Sequence, residues 1–245
     1  MTQGGSQPPA GSRPRDTLSS WLSTRVYFSV LLAFLFSLFI LQPVTEVRIL
    51  GVKLGSLLLT LVFVGAVLAV KQHRTMFIVA VTLAVPGLVV EFMRAGAAAD
   101  SGLHLLADGL VISLFFLVCA CIVIDLFTDH DVDLGSISAA LCIYLLIGLG
   151  FAFVYDAVVR LDPGALTGVS LDAGDERGGI SGLIYFSFVT ITTLGYGDVT
   201  PVTSNARNFA MLEALLGQVV LVVLVARLVG MQVASATSVR GNGDR

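Results

Sequence analysis

The sequence is short of charge. Only 13% of its 245 residues are Asp, Glu, Lys or Arg, against about a quarter in an ordinary soluble domain. Too few charges remain to cover a water-facing sphere, while 56% of the residues are hydrophobic and the mean hydropathy is +0.93. This excludes a soluble globular domain and points to an integral membrane chain with lipid as its main solvent. The net charge is −3 and no basic block occurs, so no nucleic acid is expected as a partner. Cysteine is scarce too. Cys119, Cys121 and Cys142 all lie inside apolar runs, where they read as small buried side chains. There is no CxxC, and His73, His104 and His130 are scattered near loop ends without metal-ligand spacing. Nothing sets a nucleophile beside a base, so neither an enzyme nor a cofactor is expected.

What the chain has in abundance is long apolar runs. A spanning helix needs about 20 mostly apolar residues. Six stretches are candidates: Arg25–Gln42, Val52–Val70, Thr75–Val90, His104–Phe127, Ile137–Val159 and Ala206–Val233. Residues 1–20, rich in Gly, Ser and Pro, read as a disordered cytosolic tail. No small-x-small cleavage site follows the run from Val26 to Leu41, so the first helix is expected to be retained. Lys71-Gln72-His73-Arg74 makes a tight turn that forces an antiparallel hairpin, and Pro86 is expected to kink the third helix.

A seventh apolar segment, Ile180 to Thr192, is too short. Its thirteen residues would form a helix of about 20 Å, against a hydrocarbon core of about 30 Å. It is therefore expected to enter and return on one side. Non-helical backbone at membrane depth is tolerated only where protein buries it or where it lines a water-filled cavity. The next residues, Thr193-Leu194-Gly195-Tyr196-Gly197, then sit in a protein-lined pathway. A cation crossing there must trade its hydration shell for an equivalent, which rings of backbone carbonyls supply. That geometry needs residues at positive φ, which glycine adopts without steric cost. One copy cannot surround an ion, so four chains around an axis are expected. The C-terminal end of the short helix carries partial negative charge, which favours a cation. Tyr185 and Phe186 are placed either to brace Tyr196 from behind or to serve as ordinary interfacial aromatics.

Thr193-Leu194-Gly195-Tyr196-Gly197-Asp198, after a helix of pore-helix length and followed by Pro201, resembles the selectivity filter of the tetrameric potassium channels. The resemblance implies an all-α membrane fold: six transmembrane helices, with a re-entrant pore helix and filter loop between the fifth and sixth. It implies a tail (1–20), a four-helix membrane domain (21–128), a pore domain (129–235) and a short second tail (236–245). Within the pore domain the outer helix would be 137–159, the pore helix 180–192, the filter 193–198 and the inner helix 206–233. The carbonyls of Thr193, Leu194, Gly195 and Tyr196, with the Thr193 hydroxyl, would coordinate dehydrated K⁺. Gly197 and Asp198 would form the outer mouth. Thr192 joins the filter support, and Asp198 either bonds behind Tyr196 or is a solvated loop acid. Leu194 departs mildly from the commoner Val.

The resemblance extends along the sixth helix. Gly217 lies twenty residues after Gly197, where the family often has its gating hinge; the other reading is close helix packing. Leu221, Val225 and Val229 fall on one helical face and would line the cavity and its cytosolic constriction. Leu212-Glu213 looks like the bacterial inward-rectifier variant of this helix, in which the acid sits behind the filter. Glu213 would then bond the pore helix at Thr190 or Thr192, or else be a solvated acid near the outer face. Arg227 is expected to snorkel to cytosolic headgroups.

The fourth span lacks what a voltage sensor has. It contains no Arg and no Lys, only Asp108 and Asp125, so the first four helices read as a scaffold or degenerate sensor. Few residues follow Val233 in this sequence, so no ligand-gating module is expected. Six spans place both termini on one side. Taking that side as cytosol leaves eight Lys/Arg inside and six outside. His130 among Asp129, Asp131 and Asp133 would titrate near neutrality and sensitise the linker to protons or divalent ions, unless Asp133 or Ser136 simply caps the next helix. Asp162, Asp172, Asp175 and Glu176 in the outer loop would concentrate cations near the mouth or merely be solvated. The resulting expectation is a homotetrameric, potassium-selective channel in the plasma membrane, of bacterial inner-membrane type. The alternatives are a non-selective cation channel, or a K⁺ transporter or accessory subunit with a pore-like loop.

Overall fold

In lipid an unpaired backbone amide is costly, and a helix satisfies all of its own. A chain this apolar accordingly folds as helices. The computed structural model describes residues 28–38, 40, 48–49, 52–71, 73–94, 101–128, 134–169 and 179–243. The linker Asp129–Asp133, with His130, and the loop acids Asp172, Asp175 and Glu176 lie outside the described residues. So do residues 1–27 and 244–245.

Seven helices are described. They are α1 (Phe28–Leu38), α2 (Leu54–Ala69), α3 (Arg74–Arg94), α4 (Ser101–Thr128), α5 (Leu134–Leu161), α6 (Gly179–Ile191) and α7 (Ser204–Gly243). Two short antiparallel ladders accompany them: β1 (Arg48–Ile49) with β2 (Val52–Lys53), and β3 (Leu166–Thr167) with β4 (Thr200–Pro201). Among the described residues, three helices are long and apolar enough to cross a membrane: Gly102–Thr128, Ser136–Leu161 and Ser204–Arg227. The three expected spans before them appear as shorter apolar helices, Phe28–Leu38, Leu57–Ala69 and Arg74–Val89. α3 continues through Pro86 without a break.

The turn between α2 and α3 is as tight as its sequence requires. Val70 N bonds Val67 O at 3.3 Å, His73 N bonds Val70 O at 3.1 Å, and Phe77 N bonds His73 O at 2.8 Å. The His73 ring then meets Asp125 of α4, Nε2 to Oδ1, at 2.7 Å. This ties the hairpin turn to the end of α4.

α4 and α5 form the centre of the packing. Aromatic rings run outward from their seam. Phe63 of α2 lies 5.4 Å from Phe115 of α4, which lies 6.0 Å from Phe153 of α5. A second run goes from Phe116 through Phe151 and Tyr155 to Phe186 of α6, the last step a T-shaped pair at 4.8 Å. These tilted geometries are those the ring quadrupoles favour. Two buried thiols donate to neighbouring main chains, Cys142 to Phe28 O at 3.4 Å and Cys119 to Ile143 O at 3.8 Å. The cysteines thus behave as packed core residues.

α6 sits between α5 and α7. Two glycines let it approach. A Cβ on Gly148 of α5 would come within 2.8 Å of the Phe188 ring, and one on Gly217 of α7 within 2.6 Å of the Ile191 side chain. Phe115→Ala, which empties the junction of α2, α4 and α5, is expected to cost about 3 kcal/mol, read as a lower thermal midpoint of the detergent-solubilised protein.

Candidate functional site

The site begins where α6 stops. Thr193 N bonds Thr190 O at 2.9 Å, and Leu194 N bonds Val189 O at 3.0 Å. This pair of bonds is a Schellman cap, whose turning residue takes a left-handed conformation and is usually glycine. Here it is Thr193, at φ +60°. A β-branched residue there is a genuine outlier. Such strain persists only where the surroundings over-determine it, and it collects at functional sites.

The left-handed residues then recur at every second position. Gly195 has φ +58° and Gly197 φ +80°, while Leu194 and Tyr196 are not among the positive-φ residues. Alternating the sign of φ lets successive carbonyls turn to one side, the arrangement a carbonyl-lined ion pathway requires. A Cβ added to Gly195 or Gly197 would meet nothing within 4 Å. Conformation, not crowding, calls for glycine at both positions. The segment is open on its other side, with Leu194 59% and Tyr196 67% exposed within the single chain.

Behind the segment, polar contacts hold the helices. Tyr185 donates from its hydroxyl to Asp198 Oδ2 at 2.9 Å, so the middle of α6 holds the residue after Gly197. Phe186 turns the other way and is buried against Tyr155 of α5. It belongs to the packing of α6 on α5, because one helical step rotates it away from Tyr185. Thr192 is exposed and its hydroxyl bonds Phe188 O within α6.

Glu213 is fully buried. Its partners are neither Thr190 nor Thr192; Thr190 bonds Phe186 O of its own helix. Tyr155 of α5 donates to Glu213 Oε2 at 2.6 Å, and Ser187 Oγ of α6 lies 2.5 Å from Glu213 Oε1. Ser187 Oγ also lies 2.5 Å from Gly148 O. Ser187 presents its hydroxyl on the face of α6 toward α5 and α7, whereas Thr190 and Thr192 fold theirs onto the preceding turn. Tyr144 completes the set by donating to Ile191 O at 3.0 Å, at the end of α6. Ser187, Tyr155 and Tyr144 were not legible as site residues. Single hydroxyls in apolar runs carry no pattern until their helices meet.

Gly217 is a point of close approach. An added Cβ would lie 2.6 Å from Ile191 Cγ1 and 2.9 Å from Ile191 O. Buried Ala206, Glu213 and Gly217 and half-buried Ala210, Val220 and Leu224 alternate four and three apart on one face of α7. Leu221, Val225 and Val229 are 49%, 52% and 56% exposed, off that face. Arg227 places its guanidinium 4.7 Å over the Phe127 ring at the end of α4, a cation–π contact.

One polar cluster lies apart from these. Arg160 Nε is 3.1 Å from Asp156 of its own helix and 3.7 Å from Asp108 of α4, both acids buried. The i,i+4 spacing of Asp156 and Arg160 was a readable signal for half of it.

The match to known proteins falls on this same region. The model of a family described as ion channel matches residues 139–233, from α5 to α7. Over 105 residues, 42% of the chain, it is 31% identical to two-pore potassium channel 1 of Arabidopsis thaliana, which it covers to 25%. It is 32% identical over 102 residues to protein LctB of Bacillus caldotenax and 35% identical over 101 residues to protein LctB of Geobacillus stearothermophilus, covering 75% of each. The chain thus spans about a quarter of the Arabidopsis protein it matches and three quarters of the two LctB proteins. No solved structure matches it.

Two substitutions test the supports. Tyr155→Phe removes a partner of a fully buried carboxyl group and is expected to cost about 1–3 kcal/mol. Gly217→Ala drives a methyl into the end of α6 and is expected to cost about 1–3 kcal/mol. Both are read as shifts in the thermal midpoint in detergent.

Proposed function

The chain belongs to the ion-channel family, and on that footing we propose that it conducts K⁺ passively and selectively across a membrane as a homotetramer. The observation that carries this reading is the alternation of positive φ at Thr193, Gly195 and Gly197 on an exposed strand that leaves a capped short helix. One chain supplies one wall of such a pathway. Four walls around an axis place the carbonyls of Thr193, Leu194, Gly195 and Tyr196, with the Thr193 hydroxyl, around dehydrated K⁺. K⁺ is then the cargo rather than a resident cofactor. Tyr between the two glycines, and the potassium channel among the relatives, favour K⁺ over a non-selective filter.

The tetramer is supported by the surface of α7. Within the single chain only 17% of its span is buried, against 67% for α5. An apolar helix with so little of its own protein around it is suited to copies of itself about the axis. In that assembly Leu221, Val225 and Val229 line the inner cavity and its constriction, where apolar rings gate by dewetting. Gly217 is both the close contact with α6 and the hinge.

The proposed arrangement in the bilayer has α1 to α5 and α7 spanning, α6 re-entrant, and both termini in the cytosol of a bacterial plasma membrane. α6 supports this, since its thirteen residues reach about 20 Å, short of the core. The first four helices act as a scaffold without a voltage-sensing charge row, as α4 holds no Arg or Lys. Asp198, held by Tyr185, and Glu213, held by Tyr155 and Ser187, support the filter from behind.

The test is reconstitution into liposomes carrying a K⁺ gradient. Wild-type protein is expected to carry K⁺ flux and to exclude Na⁺ when the gradients are exchanged, and cross-linking is expected to stop at a four-chain band. Gly195→Asp, which puts a side chain at a left-handed position facing the pathway, is expected to abolish flux while the cross-linked tetramer persists. Equal Na⁺ and K⁺ flux would favour the non-selective reading.

A further inference from the structure

The residues after the filter strand are held from a side that the sequence does not announce. The chain leaves α5 through a turn in which Ala165 N bonds Asp162 O at 2.9 Å and Gly164 N bonds Asp162 Oδ1 at 3.2 Å. Ala165 and Leu166 are then buried, at 0% and 5% exposure, so the segment is anchored to the core before it reaches the mouth. β3 next pairs antiparallel with β4, with Leu166 opposite Pro201 and Thr167 opposite Thr200. Val202 N bonds Ala165 O at 2.8 Å, and the hydroxyls of Thr167 and Thr200 lie 2.7 Å apart.

The closest approach is at Gly168. It sits at φ +84°, and a Cβ there would overlap the Asp198 carbonyl oxygen and lie 3.1 Å from the Asp198 carbonyl carbon and 3.3 Å from Val199 Cα. Backbone packs on backbone with no side chain between, and nothing at that contact is free to swing aside. Asp198 is therefore gripped twice: its carboxylate by Tyr185 of α6 at 2.9 Å, and its main chain by Gly168. Further on, Arg207 Nε bonds Pro201 O at 3.2 Å from the first turn of α7. Gly195 and Gly197, by contrast, have no neighbour within 4 Å of an added Cβ. The outer end of the strand is thus positioned through Asp198–Pro201, the residues that come after it.

We propose that residues Ala165–Gly168 are a positioning element for the conduction path, holding Asp198–Pro201 and through them the carbonyl geometry of Gly197 and Tyr196. This rests on the channel reading above. A ladder of two residues a strand adds little to global stability. Its loss is expected to show at the mouth rather than in the fold. Thr167 and Thr200 are exposed, so changing them leaves the core intact.

The experiment is current recording from the reconstituted full chain, with external K⁺ low and then high. Variants are Gly168→Ala, Thr167→Val and the conservative Thr167→Ser. If the element positions the mouth, current in Gly168→Ala declines severalfold faster than in wild type after activation. Raising external K⁺, which fills the pathway from outside, slows that decline toward the wild-type rate. Thr167→Val shows a smaller change of the same kind and Thr167→Ser behaves as wild type, both with the wild-type thermal midpoint, and all three variants keep the cross-linked assembly. Variants that decline at the wild-type rate would overturn the positioning role and leave the channel reading standing. So would a loss of current that ignores external K⁺, or one in the Thr167 variants that tracks a fall in thermal midpoint. A wild-type protein without K⁺ current would overturn both.

Discussion

A carboxyl group with no exposed surface, set among apolar helices, is the constraint around which the pore-side half of the molecule is arranged. Glu213 lies inside α7, and burying such a group is tolerated only when its oxygens are satisfied. Tyr155 satisfies one oxygen from α5 and Ser187 meets the other from α6. Because Ser187 also contacts Gly148 O, the three helices share one junction. Glycines at Gly148 and Gly217 keep them close enough for it, against Phe188 and Ile191 respectively. Removing any partner leaves a polar atom buried among hydrocarbon, and this makes the junction specific as well as cohesive.

What the junction holds is the end of a helix. α6 is fixed at Ser187 by Glu213 and at Ile191 O by Tyr144, and the left-handed turn at Thr193 follows directly. Strain in one β-branched residue is sustained because the helix before it cannot shift. From there the sign of φ alternates to Gly197, after which Tyr185, Gly168 and Arg207 grip the chain in sequence. The exposed strand is suspended between two well-held ends.

The first four helices reach this assembly through a few identifiable contacts. Aromatic rings pass from Phe63 to Phe153 and from Phe116 to Phe186. Asp108 of α4 joins Arg160 and Asp156 of α5. Phe127 at the end of α4 receives Arg227 of α7, two residues from where Asp125 meets His73. α4 therefore touches the pore-side helices near both of its ends. α4 itself contains no Arg or Lys, and so lacks the cationic row a field sensor needs.

Local physics made part of this readable in advance. Scarce charge and long apolar runs determined that the chain is helical, since an unpaired backbone is excluded from lipid. Thr193-Leu194-Gly195-Tyr196-Gly197-Asp198 determined the family, because alternate left-handed positions demand glycine in a pattern few sequences carry. The shortness of α6 was legible from its thirteen residues. What the tertiary structure decided is everything that depends on which helix faces reach each other. Glu213 is recognisable as an acid in need of partners, but its partners are Tyr155 and Ser187, not Thr190 or Thr192. Phe186 stands beside Tyr185 in the sequence, yet one helical step sends it to α5. Gly168 and Thr167 were anonymous loop residues until β3 lay against β4. A side chain's composition says that it needs a partner; only the packing of distant segments says which atom arrives within bonding distance.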